Sequence, residues 1–172
     1  MDPPTVSLNP GENFAVQVEV NNVKNLYTYE FRLSWNPSFL EVNSVTEGPF
    51  LNSEGTYLTY FQDKIYNTPD SLGVSGYAYI ACSLLGELAT AAASGNGTLA
   101  TIEFQTNEWG NTSLHLCATK LIDSLMVEIS HETEDGYSTI IPEFPSFLVL
   151  PLFITTLLLA VIISRRKHPK QN

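Results

Sequence analysis

Several stretches of this chain alternate between apolar and polar residues, and a period of two restricts them to β-strands with one buried face. The pattern is clearest at residues 14–20, 27–35, 100–104 and 114–116. We predict a strand at each of these places. No amphipathic helical period competes with them.

Shorter runs rich in β-branched and aromatic residues predict further strands between turn clusters such as Asn36-Pro37-Ser38. These runs are residues 5–9, 39–46, 56–66, 74–85, 127–131 and 136–141. One weak helical stretch is expected near residues 85–93. About nine short strands indicate an all-β sandwich, because a parallel α/β fold would need crossover helices that the sequence lacks.

Residues 147–164 form an apolar stretch without a charged residue. As a helix rising about 1.5 Å per residue it would be about 27 Å long, close to the hydrocarbon thickness of a bilayer. Four basic residues follow it directly: Arg165, Arg166, Lys167 and Lys170. The positive-inside rule therefore predicts one transmembrane helix in the cell membrane, with the C terminus cytoplasmic and the β domain extracellular.

These patterns predict four parts: a β domain at 1–141, a Pro-rich linker at 142–146, the transmembrane helix at 147–164 and a basic tail at 165–172. All 18 acidic residues lie at or before Glu143, whereas four of the eight Lys and Arg residues lie in the tail. The chain before the helix thus carries 4 basic against 18 acidic residues, a net charge of −14. Such a charge repels phosphate backbones, so no nucleic-acid partner is predicted.

An exported domain needs an entry signal, yet the chain begins Met1-Asp2-Pro3-Pro4-Thr5, without a basic or apolar stretch. We therefore expect a signal peptide upstream of Met1, either because translation starts earlier or because this sequence is a fragment.

Pro142, Glu143 and Phe144 stand just before the apolar stretch. Pro-Glu-Phe followed by an apolar helix and an Arg/Lys cluster resembles archaeal C-terminal sorting signals of the PEF type. That resemblance implies that a membrane protease removes the helix and passes the ectodomain to another anchor. Simple retention of the helix as a stop-transfer anchor remains the alternative.

A longer resemblance is carried by the order of several blocks in the β domain. The blocks are Pro10-Gly11-Glu12, Asn25-Leu26-Tyr27, Tyr29-Glu30-Phe31-Arg32-Leu33-Ser34-Trp35-Asn36-Pro37, Leu40-Glu41-Val42 and Gly95-Asn96-Gly97-Thr98-Leu99-Ala100. Over roughly residues 6–141 this order resembles the cohesin family. The resemblance implies a nine-stranded jelly-roll β-sandwich related to carbohydrate-binding modules, which grips a calcium-loaded dockerin through one sheet face.

Catalytic motifs are missing from the β domain. His115 and His131 are its only histidines, and no Gly-x-Ser-x-Gly elbow occurs. We therefore predict a non-enzymatic cell-surface binding module with a protein partner. The alternatives are a carbohydrate-binding module linked to polysaccharide binding or degradation, with Tyr57, Tyr60, Tyr66, Tyr77 and Tyr79 as stacking candidates, or a structural module of a larger envelope protein.

Three further sets of residues are candidates for modification or ligation. Cys82 and Cys117 allow one intrachain disulfide, although two buried free thiols explain their apolar surroundings as well. Asn96 and Asn111 head glycosylation sequons that we place in loops. No cofactor is predicted; the carboxylates that could hold calcium, Glu132, Glu134 and Asp135, lack the spacing of a calcium loop and are interpreted as a solvated hairpin tip.

Overall fold

A computed structural model of the chain describes residues 1–52, 58–68, 75–85 and 92–141, which contain eight strands and no helix. The strands are β1 (Thr5–Leu8), β2 (Asn13–Trp35), β3 (Leu40–Glu47), β4 (Leu58–Tyr66), β5 (Gly76–Leu85), β6 (Ala93–Thr106), β7 (Gly110–Asp123) and β8 (Gly136–Ile140). This confirms the all-β class. None of the described elements is a helix long and apolar enough to cross a bilayer.

The long strand β2 belongs to both layers of a sandwich. Its first half pairs antiparallel with β6, whose other edge pairs with β3, and these three make the first layer. Its second half, from Thr28 to Trp35, lies between β5 and β7. The second layer continues through β4 beyond β5, and through β8 and then β1 beyond β7. β1 runs parallel to β8, whereas the other pairs are antiparallel.

The passage of β2 between the layers is made at Asn22 and Asn25, whose φ angles are 54° and 59°. Asparagine tolerates this left-handed region better than other residues with a side chain. Distant side chains accept hydrogen bonds from the backbone there: Asn96 Oδ1 from Asn22 N (2.6 Å) and Ser94 Oγ from Asn25 N (2.8 Å). The two strands expected at 14–20 and 27–35 are therefore one bent strand, β2.

The core lies between the two layers and is filled from both. Trp35 of the second layer meets Phe104 of the first edge-on, with ring centroids 5.5 Å apart. The hydroxyl of buried Tyr29 donates a hydrogen bond across the core to the Leu99 carbonyl oxygen. Residues Met1–Ile141 form one compact unit with its own core, the condition for independent folding.

The strand expected at 127–131 is wrong, because the turn at 124–126 ends β7 and no regular pairing follows it. Asp123 Oδ1 accepts hydrogen bonds from the backbone N–H groups of Leu125 and Val127, both at 2.8 Å, and Met126 has a φ of 62°. Only an isolated bridge, from Ile122 to Glu128, remains. A helix was expected near residues 85–93. Leu85 instead ends β5 and Ala93 begins β6, and residues 86–91 lie outside the described residues.

Candidate functional site

Four adjacent strands of the second layer, β4, β5, the second half of β2 and β7, form a continuous outer surface, which we call the outer face. Side chains alternate across a sheet, so about every second residue of these strands points away from the core. The outer face includes Leu58, Tyr60, Gln62, Lys64, Tyr66, Tyr77, Tyr79, Ala81, Leu85, Glu30, Arg32, Ser34, His115, Cys117 and Lys120.

Three tyrosines and an arginine pack together at one end of the outer face. Tyr66 and Tyr77 are register partners whose ring centroids lie 4.6 Å apart, and Tyr77 meets Tyr79 edge-on at 5.6 Å. The guanidinium carbon of Arg32 lies 4.1 Å from the Tyr77 centroid and 5.7 Å from that of Tyr79. Cation–π attraction of this kind contributes about 0.5–1 kcal/mol at exposed sites. The rings therefore hold the cation in a defined position.

The opposite end of the outer face is apolar. Leu58 and Leu85 are register partners on β4 and β5, and they are 75% and 51% exposed. Tyr60 lies two residues along β4 and is 56% exposed; its hydroxyl accepts a hydrogen bond from Gln62 Nε2 at 2.8 Å. Adjoining exposed apolar side chains are a feature of interaction surfaces.

Two pairs of polar side chains, one of them an ion pair, border the face on the β7 side. Lys120 Nζ lies 2.9 Å from Glu30 Oε1, and this hydrogen bond and the charge of Glu30 raise the pKa of the lysine. His115 Nδ1 lies 2.7 Å from Asp135 Oδ2, while the other oxygen of Asp135 accepts a hydrogen bond from Leu116 N at 2.9 Å. Glu30 and Lys120 therefore satisfy each other.

The two histidines of the described residues have different hydrogen-bond partners. The Ser34 hydroxyl beside His115 donates to the backbone oxygen of His115 at 3.4 Å rather than to its ring. Both ring nitrogens of His131 are in hydrogen bonds, with the Ile129 carbonyl oxygen and with Thr119 Oγ1, each at 2.8 Å. Of the two imidazoles, His131 thus contacts a threonine hydroxyl, whereas the ring of His115 contacts the carboxylate of Asp135.

The two cysteines are free thiols on opposite sides of the second layer, so the disulfide is not formed. Cys82 pairs with Tyr29 and points into the core, whereas Cys117 pairs with Arg32 on the outer face. Burial, followed by the negative charge of Glu47, raises the pKa of the Cys82 thiol to about 12. Its Sγ donates a hydrogen bond to Glu47 Oε1 at 3.5 Å.

The glycosylation candidates Asn96 and Asn111 are both exposed, but they lie within strands β6 and β7 rather than in loops. Asn96 is at the irregular pairing that faces the bend of β2, where its side chain accepts the hydrogen bond from Asn22. Asn111 pairs with Thr139 near the start of β7. Their use as glycan acceptors stays a prediction.

The acidic segment before β8 does not converge on a common point. Asp135 is committed to His115 and Leu116, and no group of three or more His, Cys, Asp or Glu side chains within the described ranges could hold a metal ion. Glu132 and Glu134 are exposed. Several predicted sites lie outside the described residues: Tyr57, Pro142, Glu143, Phe144, Arg165, Arg166, Lys167 and Lys170.

A family model described as the cohesin domain matches residues 1–140, most of the chain. The chain belongs to the cohesin family. The resemblance carried by the sequence blocks is thereby confirmed. Comparison with curated protein sequences gave no match.

Solved cohesin structures share the fold of this domain. A non-cellulosomal cohesin from the archaeon Archaeoglobus fulgidus is 20% identical, with 80% of this chain and 86% of that chain covered and a TM-score of 0.58. A chain from a type I cohesin–dockerin complex of Clostridium thermocellum is 11% identical, with coverages of 81% and 90% and a TM-score of 0.64. A type II cohesin from the cellulosome of Acetivibrio cellulolyticus is 16% identical, covers 80% and 90%, and has a TM-score of 0.56.

Within this cohesin domain, sequence reasoning did not find the contact of Arg32 with Tyr77. Alternation along residues 27–35 put Arg32 on the polar face of its strand, whereas the direction of the Tyr77 side chain was left open. Their proximity depends on the register of β2 with β5, in which Tyr77 is opposite Ser34 and Tyr79 is opposite Arg32. No local signal in the sequence fixes that register, because the connecting segments are long.

Proposed function

We propose that this cohesin domain is a non-enzymatic binding module that presents its outer face to a protein partner, a dockerin-like protein or another envelope protein. The observation that carries the proposal is the composition of that face. Tyrosine and arginine are enriched among the residues that dominate binding energy at protein interfaces. An exposed apolar patch made by Leu58, Tyr60 and Leu85 lies at the opposite end of the same face.

The family supports the same reading. Two of the structures similar to this chain are type I cohesin–dockerin complexes from Clostridium thermocellum. Their sequence identities to this chain, 17% and 11%, are too low to transfer any contact residue to it. The partner surface is therefore argued from this chain's own side chains.

A capture experiment with two matched variants tests the outer face. Leu58 lies on the face and Leu125 lies in the turn after β7, and both leucines are 75% exposed. Three versions of residues 1–141 are immobilised: the wild type, Leu58→Asp and Leu125→Asp. Each is incubated with solubilised envelope proteins and secreted proteins of the source, with and without calcium. We expect one protein to be retained by the wild type and Leu125→Asp and lost from Leu58→Asp. Retention by all three would argue against this face.

We further propose that the domain is anchored in the cell membrane by a single span at residues 147–164, with the tail inside the cell. The uncharged apolar stretch and the basic cluster from Arg165 to Lys170 support this orientation. In intact cells producing the full chain, protease should digest the β domain and spare a tag placed after Asn172. The mass of the mature C-terminal peptide distinguishes retention of the span from cleavage after the Pro-Glu-Phe segment.

A second candidate function, polysaccharide binding, is favoured by the tyrosines, since Tyr60, Tyr66, Tyr77 and Tyr79 all lie on the outer face. Sugar rings stack on free aromatic faces, however, and Tyr66, Tyr77 and Arg32 cover one another. Tyr60 and Tyr79 remain as the exposed rings. A glycan array probed with and without calcium tests this candidate. If a glycan is bound equally well by the wild type, Tyr60→Ala and Tyr79→Ala, then the outer face is not the glycan-binding surface.

A further inference from the structure

Arg32 is a cation without an anionic partner in a strongly acidic domain. It forms no ion pair or hydrogen bond with any described residue, and its Nε is buried without a partner. Glu30, two residues before it on β2, is engaged by Lys120. A buried donor without an acceptor is destabilising, so a partner that supplies an acceptor to Arg32 would stabilise the complex.

The surroundings of Arg32 orient its guanidinium without satisfying its donors. Tyr77 and Tyr79 lie beside it, and on the neighbouring strand Lys64 is the register partner of Tyr79. The contacts with the two rings stabilise the position of the guanidinium, but they provide no oxygen acceptor for its N–H groups. A guanidinium offers five N–H donors in a planar fork whose geometry matches a carboxylate.

A shallow depression beside this cluster provides room for a ligand group. It lies around Ala81 and is lined by Gln62, Lys64 and Tyr79 together with the acidic residues Glu30 and Asp63, and the small side chain of Ala81 leaves the sheet surface open there. Glu30 is already paired with Lys120. Arg32 and Lys64 are both register partners of Tyr79 beside the depression, and a partner group that meets these two cations is favoured by negative charge.

We infer that Arg32, which lies between Tyr77 and Tyr79, is the residue that anchors the protein partner. Its guanidinium donates a bidentate hydrogen bond to the carboxylate of an Asp or Glu side chain of that partner. This inference rests on the proposed function, because it names the partner's chemistry at the same face. Since the rings already hold the cation, little side-chain entropy is lost on binding.

A protein carboxylate is favoured over an acidic sugar for two reasons. The faces of Tyr66 and Tyr77 are occupied by each other and by Arg32, so they are not available for a sugar ring to stack on. The apolar end of the same face, at Leu58 and Leu85, suits the apolar side chains of a protein partner.

The test is selection from a randomised peptide library displayed on phage, with immobilised residues 1–141 as the target. Peptides are selected on the wild type and then measured against Arg32→Gln, Arg32→Lys and Lys24→Gln. Lys24 is exposed at the bend of β2, away from the outer face, so Lys24→Gln removes the same charge elsewhere. A polygalacturonate probe is measured in parallel, and thermal melting checks that each variant is folded.

We expect selected peptides to be enriched in Asp or Glu at one position and to lose about 10- to 100-fold in affinity with Arg32→Gln, the range for hydrogen bonds to charged groups. Arg32→Lys keeps the charge but not the fork, so most of the loss should persist, whereas Lys24→Gln should bind within about twofold of the wild type. If Arg32→Gln does not fold, the comparison of Arg32→Lys with Lys24→Gln decides.

Three outcomes would overturn the inference and separate it from the proposed function. If the binding of selected peptides depends on Leu58 but the peptides are not enriched in Asp or Glu, the outer face still binds proteins and the carboxylate anchor at Arg32 is wrong. Arg32-dependent binding of polygalacturonate, without any peptide binder, would assign the cluster to an acidic sugar. Absence of binders of either kind would count against both the anchor and the proposed function.

Discussion

Trp35 packs directly against Gly76, its register partner on β5. A Cβ atom added to Gly76 would lie 2.8 Å from the indole Nε1 and 2.9 Å from Cε2, closer than real Cβ atoms approach. The indole is 2% exposed and meets Phe104 on its other side, so it has little room to retreat. The absence of a side chain at Gly76 is thus a requirement of the core.

We expect Gly76→Ala to lower the free energy of unfolding by about 1–3 kcal/mol, the usual cost of overpacking a well-packed core. The measurement is urea unfolding of residues 1–141 followed by tryptophan fluorescence. Ala81→Ser, on the outer side of the same strand, should stay within about 0.5 kcal/mol of the wild type. An unchanged midpoint in Gly76→Ala would mean that the indole can shift freely.

Two buried hydroxyls offer a matched comparison of satisfied and unsatisfied hydrogen bonding. Thr106 Oγ1 accepts a hydrogen bond from Glu12 N at 2.9 Å and lies 2.7 Å from the Asn9 carbonyl oxygen, to which it donates. Ser138 Oγ is buried without a partner. We expect Thr106→Val to destabilise the domain by about 1–3 kcal/mol and Ser138→Ala to be neutral or stabilising. Equal losses in the two variants would contradict this assignment.

The two thiols should differ sharply in reactivity. Cys82 is 1% exposed, and burial raises its thiol pKa to about 12, so the reactive thiolate is scarce at neutral pH. Cys117 is only half-buried, on the outer face. Ellman's reagent should therefore titrate one thiol in the native domain and two after denaturation, and Cys117→Ser should abolish the native reaction. A native count of zero without reductant would instead indicate a disulfide.

Glu12 should contribute to the acid sensitivity of the fold. Its carboxylate accepts hydrogen bonds from the backbone N–H and the side-chain amide of Asn9, each at 3.0 Å, and these bonds lower its pKa from 4.5. A carboxyl group with a lowered folded-state pKa stabilises the fold above pH 4.5, and that contribution is lost as the pH falls through the folded-state value. We expect Glu12→Gln to weaken this part of the pH dependence between pH 5 and 3.

Melting temperatures measured over that range provide the check, with Glu108→Gln as the control. Glu108 is exposed in the turn between β6 and β7 and forms no hydrogen bond with a described residue. Its variant should melt with the pH profile of the wild type. Identical profiles for all three proteins would show that the Asn9 contacts do not persist in solution.

Much of the fold followed from alternation, and the misses come from contacts between segments that are far apart in sequence. The first and second halves of β2 were both predicted as strands, but their continuity depends on Ser94 and Asn96, which are 69 and 74 residues away from the backbone groups they bond. On β7, Ala118 has a φ of 49° and the register shifts there, which resets the alternation after Cys117. Periodicity cannot anticipate an irregularity that long-range pairing creates.

The candidate site was less predictable than the fold. Period two put Arg32 on the polar face of its strand. It could not show that Glu30 pairs with Lys120 and that Arg32 has no partner among the described residues. Likewise, Leu58 and Leu85 became a patch only through the register of β4 with β5. Which charges neutralise each other is decided by pairing between strands far apart in sequence.

The parallel pairing of β1 with β8 has a mechanical consequence. Thr5 lies opposite Tyr137 and Leu8 opposite Ile140, so the first and last strands run side by side in the same direction. Tension applied between the N-terminal end of β1 and the C-terminal end of β8 pulls the two strands in opposite directions along their common axis. All the hydrogen bonds between them are then loaded together instead of breaking one by one. A domain tethered through its C-terminal side and pulled at the other end would therefore resist stretching in shear, its strongest direction.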